Sequence, residues 1–287
     1  MRRLALYNVK NQDLIDELKK EFTTLDITNK DDNNMEAIFL DWTPSNRKSP
    51  LLARQIQVVT HCYAKKIPMM IFDRYLGITT DEYKLFKKAG TIMFEPALNF
   101  RTEFTYLPFS IKIKDKENLT INPIDEKRKF SLVYNGDLIE KIFSFEKYIL
   151  EYHKKFGGVY YSAKIDKGKE QEYFTKLSLG NSAPIPYVDA KCTVILGSIQ
   201  NYKIGYLDQS FFDALQNNCI PLIPDEHRFF NGFPTTIEKS IDIAMYCNSY
   251  ESTHFGFIYD IHETIKNKYP EMSLQYTVNM IKYFIDK

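Results

Sequence analysis

Glycine is scarce in this chain of 287 residues, with only 11 in all. No G-x-G-x-x-G occurs, and the one Gly-Lys pair, Gly168-Lys169, runs on into Glu170. A Rossmann dinucleotide fingerprint and a P-loop are both excluded. No H-E-x-x-H is present, and His61, His153, His227, His254 and His262 show no metal-ligand spacing. No Asp-x-Asp occurs either. Runs of 18 or more apolar residues are missing, so no membrane span is expected. The start, Met-Arg-Arg-Leu-Ala-Leu-Tyr-Asn, turns polar too early for a signal peptide. The cysteines, Cys62, Cys192, Cys219 and Cys247, are far apart in apolar or helical surroundings and read as core residues of a reducing compartment. Charge of one sign is missing too: the formal net charge is +1, so bulk charge cannot hold the chain on nucleic acid or membrane.

What is present is an ordinary globular composition, 44% hydrophobic and 26% charged, enough for a packed core. Short apolar runs alternate with amphipathic stretches. Arg3 to Tyr7, Met35 to Trp42, Pro68 to Phe72 and Thr91 to Phe94 read as strands. Asp13 to Phe22 reads as a helix. Ser49-Pro50 opens a longer one to about Lys66, with Leu52, Ile56, Val59 and Tyr63 facing inward. Thr80 to Ala89 is a third, capped by Thr80-Asp81 and stopped by Gly90. Lys112 to Lys129 is polar and reads as a linker. Alternation then restarts with strands at Phe130–Tyr134, Gly158–Tyr161, Lys191–Leu196 and Ile220–Ile223, and helices at Lys141–Phe156 and Asp208–Asn217. Leu274, Val278, Ile281 and Ile285 define a final helix capped by Ser273. The pattern predicts two α/β halves, each with a parallel sheet covered on both faces, and a cleft between them as ligand site.

Two segments carry chemistry. Asp73 ends an apolar strand at the carboxyl edge of a parallel sheet, where ligands of open α/β sheets bind. It is a candidate general base, against the plainer alternatives of a helix cap or a pair with Arg74. Asn201 to Pro224 follows a strand with a polar loop and then a helix. The N-terminus of that helix offers free N–H groups to phosphate. Asp213, one turn further on, could accept two ribose hydroxyls. A solvated Asp on a plain amphipathic helix fits the same spacing. Residues 1–129 hold 22 basic against 18 acidic side chains, a small excess that points only weakly to a polyanion.

This second segment, with its acid in the second turn followed by Ile220-Pro221-Leu222-Ile223, resembles the nucleotide-sugar site of GT-B glycosyltransferases. More narrowly, the chain is similar to the DNA β-glucosyltransferase family of T-even phages. The likeness runs through Asn201-Tyr202, Tyr206, Leu207, Phe212 and Asp213; through Val194 to Gly197; through Pro184-Ile185-Pro186; through Phe130 to Gly136; and through Arg47 to Gly77, where Asp73 falls on that family's base. The resemblance implies two Rossmann-like domains: residues 1–115 for the acceptor, with 272–287 packing back on them, a linker at 116–129, and residues 130–271 for the donor. It implies transfer of glucose, or a pentose such as arabinose, from a UDP-sugar to 5-hydroxymethylcytosine or its glycosylated form in double-stranded phage DNA. Attack would be in line, with inversion, in the cytoplasm of an infected bacterium. Donor contacts would be Gly136, Lys141, Ile185, Tyr202, Lys203, Ser210 and Asp213. Phosphates of DNA would meet Arg47, Lys48, Arg54, Arg74 and Arg101. A monomer is expected, with no tightly bound cofactor, and the missing Asp-x-Asp leaves a divalent metal unneeded though not excluded.

The family's phosphate-clamping arginines are absent: Asp137 and Leu138 follow Gly136, and Ser210 stands in the donor helix. Lys141, Lys203 or Arg74 would have to replace them. Tyr206 to Leu222 also resembles the donor segment of α-1,3-fucosyltransferases, which use GDP-fucose on glycans. A degenerate GT-B module that binds without catalysis is the third reading.

Overall fold

The computed structural model describes residues 2–26, 34–44, 50–120, 128–136, 138, 140–162, 186–249 and 251–287. The chain forms two compact units, Met1–Lys112 with Glu271–Lys287, and Ile113–Pro270. Among the described residues no helix is long and apolar enough to cross a membrane.

The first unit holds β1 (Arg3–Tyr7), α1 (Gln12–Glu21), β2 (Thr23–Asp26), β3 (Ala37–Asp41), α2 (Pro50–Lys65), β4 (Met69–Phe72), α3 (Thr80–Lys88), β5 (Ile92–Glu95) and β6 (Thr105–Tyr106). Its six strands are all parallel, in the order β2-β1-β3-β4-β5-β6. β3 and β4 are buried at every position, as expected of strands covered on both faces. The predicted inward face of α2 is corrected. Val59 is buried as expected, but Ile56 and Tyr63 are about half exposed, with Gln55, Val58 and Cys62 buried in their place; the side chain of Leu52 lies outside what is described. The reason is polar: the Gln55 amide accepts from the backbone N–H of Thr43 at 3.1 Å and donates to the Thr43 carbonyl. A buried side chain that satisfies both backbone groups of a loop outranks apolar periodicity. The cap of α3 is Thr79, not Thr80, in a reciprocal capping box with Glu82, and Gly90 ends the helix with φ +69°.

The last helix of the chain, α11 (Leu274–Asp286), belongs to this first unit. Ser273 caps it and pairs with Ile111; the Leu274 N–H donates to the Ile111 carbonyl at 3.0 Å. Leu274, Val278, Ile281 and Ile285 are buried, each contributing about 1.5–3 kcal/mol. Phe284 meets Phe94 edge to face, and Lys282 pairs with Glu21.

The second unit begins with α4 (Lys116–Thr120), inside the stretch read as a linker. Its Leu119 is buried, and Lys114 donates to the Gln216 carbonyl at 2.9 Å, so that part of the stretch is folded into the unit. There follow β7 (Phe130–Asn135), α5 (Ile142–Ser144), a π-helical stretch Phe145–Leu150, α6 (Glu151–Phe156), β8 (Val159–Ser162), β9 (Ala190–Val194), α7 (Ile199–Ile204), α8 (Gln209–Gln216), β10 (Ile220–Pro224), β11 (Thr236–Ile237), α9 (Ser240–Cys247) and α10 (Glu251–Lys268). The five strands, again parallel, are ordered β11-β10-β9-β7-β8. All four cysteines are free and buried.

Three buried histidines set the acid response of this unit. Burial holds the imidazoles of His227 and His262 down to about 3 and that of His254 to about 4. An unfolded chain protonates them near 6.5, so unfolding takes up protons and stability falls as pH drops below that value. The loss is about 1.4 kcal/mol per histidine per pH unit. In the first unit, burial raises the carboxyls of Asp41 and Glu95, which has the opposite sign: their contribution is present at low pH and lost as pH rises through the folded values. Acidification from pH 6 to pH 4.5 is therefore expected to open the second unit first. Hydrogen exchange resolved by segment checks this, and His262→Leu should reduce the slope by one proton.

Candidate functional site

In an open parallel sheet the crevice lies at the carboxyl edge where the strand order reverses. In the second unit the chain goes from β7 outward to β8, then returns to β9 on the other side, so the reversal falls between β7 and β9. Asn135 ends β7 and Gly136 follows it, and Ile195 to Ser198 follow β9. Tyr187 sits at this point: its hydroxyl receives a hydrogen bond from Asn135. Burial, then the nearby Cys219, Asp208 and Asp213, push its ionisation up. Asp213 is half-buried in the second turn of α8 and accepts from the Gln209 side chain at 2.9 Å. Asp208 caps that helix, accepting from the Ser210 N–H at 2.9 Å. The strand end, the helix start and Asp213 thus lie near Tyr187.

The loop after β9 is built tightly. The Gly197 N–H donates to the Tyr202 hydroxyl at 3.0 Å, which reaches Ser144 Oγ at 3.1 Å. A Cβ on Gly197 would lie 2.7 Å from the Tyr202 ring and 3.2 Å from His227 Nε2, so only glycine fits. The His227 ring stands edge-on to Tyr202, with centroids 4.3 Å apart. Its proton affinity is lowered first by burial, partly restored by Asp208 and the Ile195 backbone, and lowered again by the nearby Lys141. Lys141, Tyr202, Asp208 and His227 therefore share one neighbourhood. Tyr202 is a buried support of the loop here rather than an open contact. Lys203 is exposed on α7, and a Cβ on Gly136 would lie 3.0 Å from the Tyr134 hydroxyl. Ile185 lies outside the described residues.

Sequence reasoning missed His227 and its neighbours Asp225 and Glu226. Lys147 Nζ lies 2.7 Å from Glu226, and the buried Tyr148 hydroxyl is 2.9 Å from Asp225 and 2.7 Å from Glu226. Lys147 and Tyr148 are consecutive, and the wider π-helical turn carries both. The signal was available: Asp225-Glu226-His227 follows a buried strand directly, the rule that had picked out Asp73.

In the first unit the order reverses between β1 and β3, and four polar residues cap the inner strand ends: Asn8, Asp41, Asp73 and Glu95. Asp73 is fully buried. Its Oδ1 accepts from the Gly77 N–H at 2.8 Å; its Oδ2 accepts from the Ile78 N–H at 2.9 Å and from Arg101 Nη2 at 2.6 Å. Arg101 also gives Nε to Glu95 at 2.6 Å and Nη1 to the Ile78 carbonyl at 3.3 Å, with its guanidinium 3.7 Å from the Phe104 ring centroid. These contacts bear on two expectations. A carboxylate whose two oxygens already accept from three donors serves as a loop anchor, which weighs against the general-base reading. Arg101, with three of its five N–H groups engaged by partners within the unit, is held inward, which weighs against a role on phosphate. Arg74 is likewise directed inward: Nε and Nη2 bond Asp41 Oδ2 at 2.8 and 2.6 Å, and its guanidinium stacks near Phe109. Arg54 is exposed on α2, near enough to Tyr7 to oppose the burial that raises its hydroxyl. Arg47 and Lys48 lie outside the described residues.

No protein-family model matches the chain, and no curated protein matches it in sequence. Solved structures do. An alpha-glucosyltransferase, in complex with UDP and a 13-mer DNA containing a central A:G mismatch, overlaps 99% of this chain with 99% of its own at TM-score 0.63 and 8% identity. A glycosyltransferase from Rickettsia africae overlaps at TM-score 0.48, with 9% identity over 99% and 97% of the two chains. An O-GlcNAc transferase mutant from Thermobaculum terrenum gives 0.47, with 7% identity over 99% and 67%. The fold is GT-B, built from two parallel-sheet α/β units.

The geometry of Asp73 gives a direct test. Asp73→Asn takes from Arg101 one of its two buried carboxylate partners, Glu95 remaining as the other, and breaking such a buried pair costs roughly 3–5 kcal/mol. A large fall in the urea midpoint is expected. A variant that keeps wild-type stability and loses only turnover would restore Asp73 to a chemical role.

Proposed function

We propose that this chain is a glycosyltransferase that moves a sugar from a UDP-sugar to a hydroxyl carried on a base of double-stranded DNA. The observation that supports it most is the switch point of the second unit, where Asn135, Tyr187, Asp208 and Asp213 meet beside the start of α8. A carboxylate one turn into a helix suits the vicinal hydroxyls of a ribose, and the adjoining edge suits a diphosphate. The solved alpha-glucosyltransferase with which the chain shares its fold end to end is itself bound to UDP and DNA.

In this reading Asp213 takes the ribose, the backbone beside Gly136 and Gly197 approaches the diphosphate, and Lys141 and Lys203 neutralise charge on the leaving nucleotide. The first unit takes the acceptor. A hydroxyl on a stacked base is out of reach, so the base leaves the duplex before transfer. The acceptor is 5-hydroxymethylcytosine or its glycosylated form, and the sugar is glucose or a pentose. The UDP-sugar is a co-substrate, and the reading asks for no resident cofactor.

Two measurements test it. UDP at 100 times its Kd should stabilise the protein by about 2.7 kcal/mol, and GDP by much less; the reverse order would favour a GDP-sugar. Incubation with hydroxymethylated or glucosylated duplex DNA and a panel of UDP-sugars should yield a nucleoside heavier by one hexose or pentose. No mass gain with any pair overturns the reading.

A further inference from the structure

Four strand ends of the first unit carry polar side chains, and their hydrogen bonding sorts them. Asp73 and Glu95 share Arg101 and sit away from the point where the strand order reverses. Asp41 ends β3, at the reversal between β1 and β3. It is 3% exposed. Its Oδ2 is held by Arg74, while Oδ1 is buried and has no hydrogen-bond partner among the described residues. A buried acceptor without a donor costs about 1–3 kcal/mol, more when charged. Such an oxygen calls for an account, and a ligand that supplies the missing donor is one.

The surroundings hold this carboxylate in place. Asn8, at φ +57°, donates its amide to the Asp41 carbonyl and to Thr43 Oγ1, both at 3.2 Å. Gln55 clamps the backbone of Thr43 from α2. The strand end is therefore pinned from β1 and from α2 at once, the rigidity that a reacting group needs. Solvent reaches the neighbourhood at Arg74, whose side chain is 19% exposed.

We propose that Asp41 is the carboxylate that binds the attacking hydroxyl of the acceptor and takes its proton. This rests on the glycosyl-transfer reading. In the step, the hydroxyl oxygen bonds to the anomeric carbon and its O–H bond breaks. The proton goes to Asp41 Oδ1. The bond from the anomeric carbon to the diphosphate breaks, and its electron pair leaves with UDP. Three charged groups face Asp41: Arg74 and Lys10 favour its ionised form, and Asp73 opposes it. Burial outweighs them and raises its proton affinity, the direction a base working near neutral pH requires.

The experiment compares the full-length wild type, Asp41→Asn and Asp41→Glu on hydroxymethylated duplex DNA with the UDP-sugar that the wild type uses. UDP affinity and melting temperature are measured alongside. Asp41→Asn is expected to lower kcat at least about 100-fold, with UDP affinity unchanged within about twofold. The acidic limb of the wild-type pH–rate profile should vanish in that variant. Asp41→Glu should keep measurable turnover and shift the limb. Turnover of Asp41→Asn within about threefold of wild type, or an acidic limb that persists in it, overturns the proposal. If Asp41→Asn does not fold, the limb of Asp41→Glu decides: shifted supports, unmoved overturns. A wild type inactive with every UDP-sugar and acceptor instead removes the glycosyl-transfer reading itself, while active wild type with active Asp41→Asn removes only the role of Asp41.

Discussion

A parallel strand cannot turn back on itself, and that constraint organises both units. Each strand must hand the chain to a crossover that passes over the sheet, and strands covered on both faces can carry little that is polar. Polar residues therefore collect where the strands stop. β3 and β4 are apolar until their ends, and then Asp41 and Asp73 appear. β10 behaves alike, with Asp225, Glu226 and His227 straight after Pro224. Placing so many polar groups on one edge raises a local problem of desolvated charge, and the fold answers it differently at each strand. Arg101 bridges Asp73 and Glu95, Arg74 covers half of Asp41, and His227 is kept neutral by burial.

The strand-and-helix alternation was legible because short apolar runs and caps are local signals. Ser273 and Asp208 cap the helices they precede, and each does so through its own side chain. The final helix showed its apolar stripe and is buried along it. What escaped was anything decided by a partner distant in sequence. Asp73 was visible as an acid at a strand end, but its three donors include Arg101, 28 positions on. Nothing near Asp73 announces that its lone pairs are already taken. Gln55 misled in the same way, since a polar residue in a helical pattern reads as outward until the loop it clamps is known. The π-helical turn at Phe145–Leu150 is equally silent, because its residues suit an α-helix.

The site chemistry was half legible for the same reason. Residue type and spacing placed Asp213 and the start of α8 beside a strand end, and Tyr187 and Asn135 complete that corner through contacts no motif records. Tyr202 lies beneath the loop, propping Gly197.

The pairing of Ile111 with Ser273 has a bearing on how the protein is made. The second unit, Ile113–Pro270, is one uninterrupted stretch, whereas the first takes its closing helix from the far end of the polypeptide. During synthesis the unit begun second is therefore the earlier to be complete. The unit begun first keeps the hydrophobic bed of α11 uncovered until Glu271–Lys287 has been made.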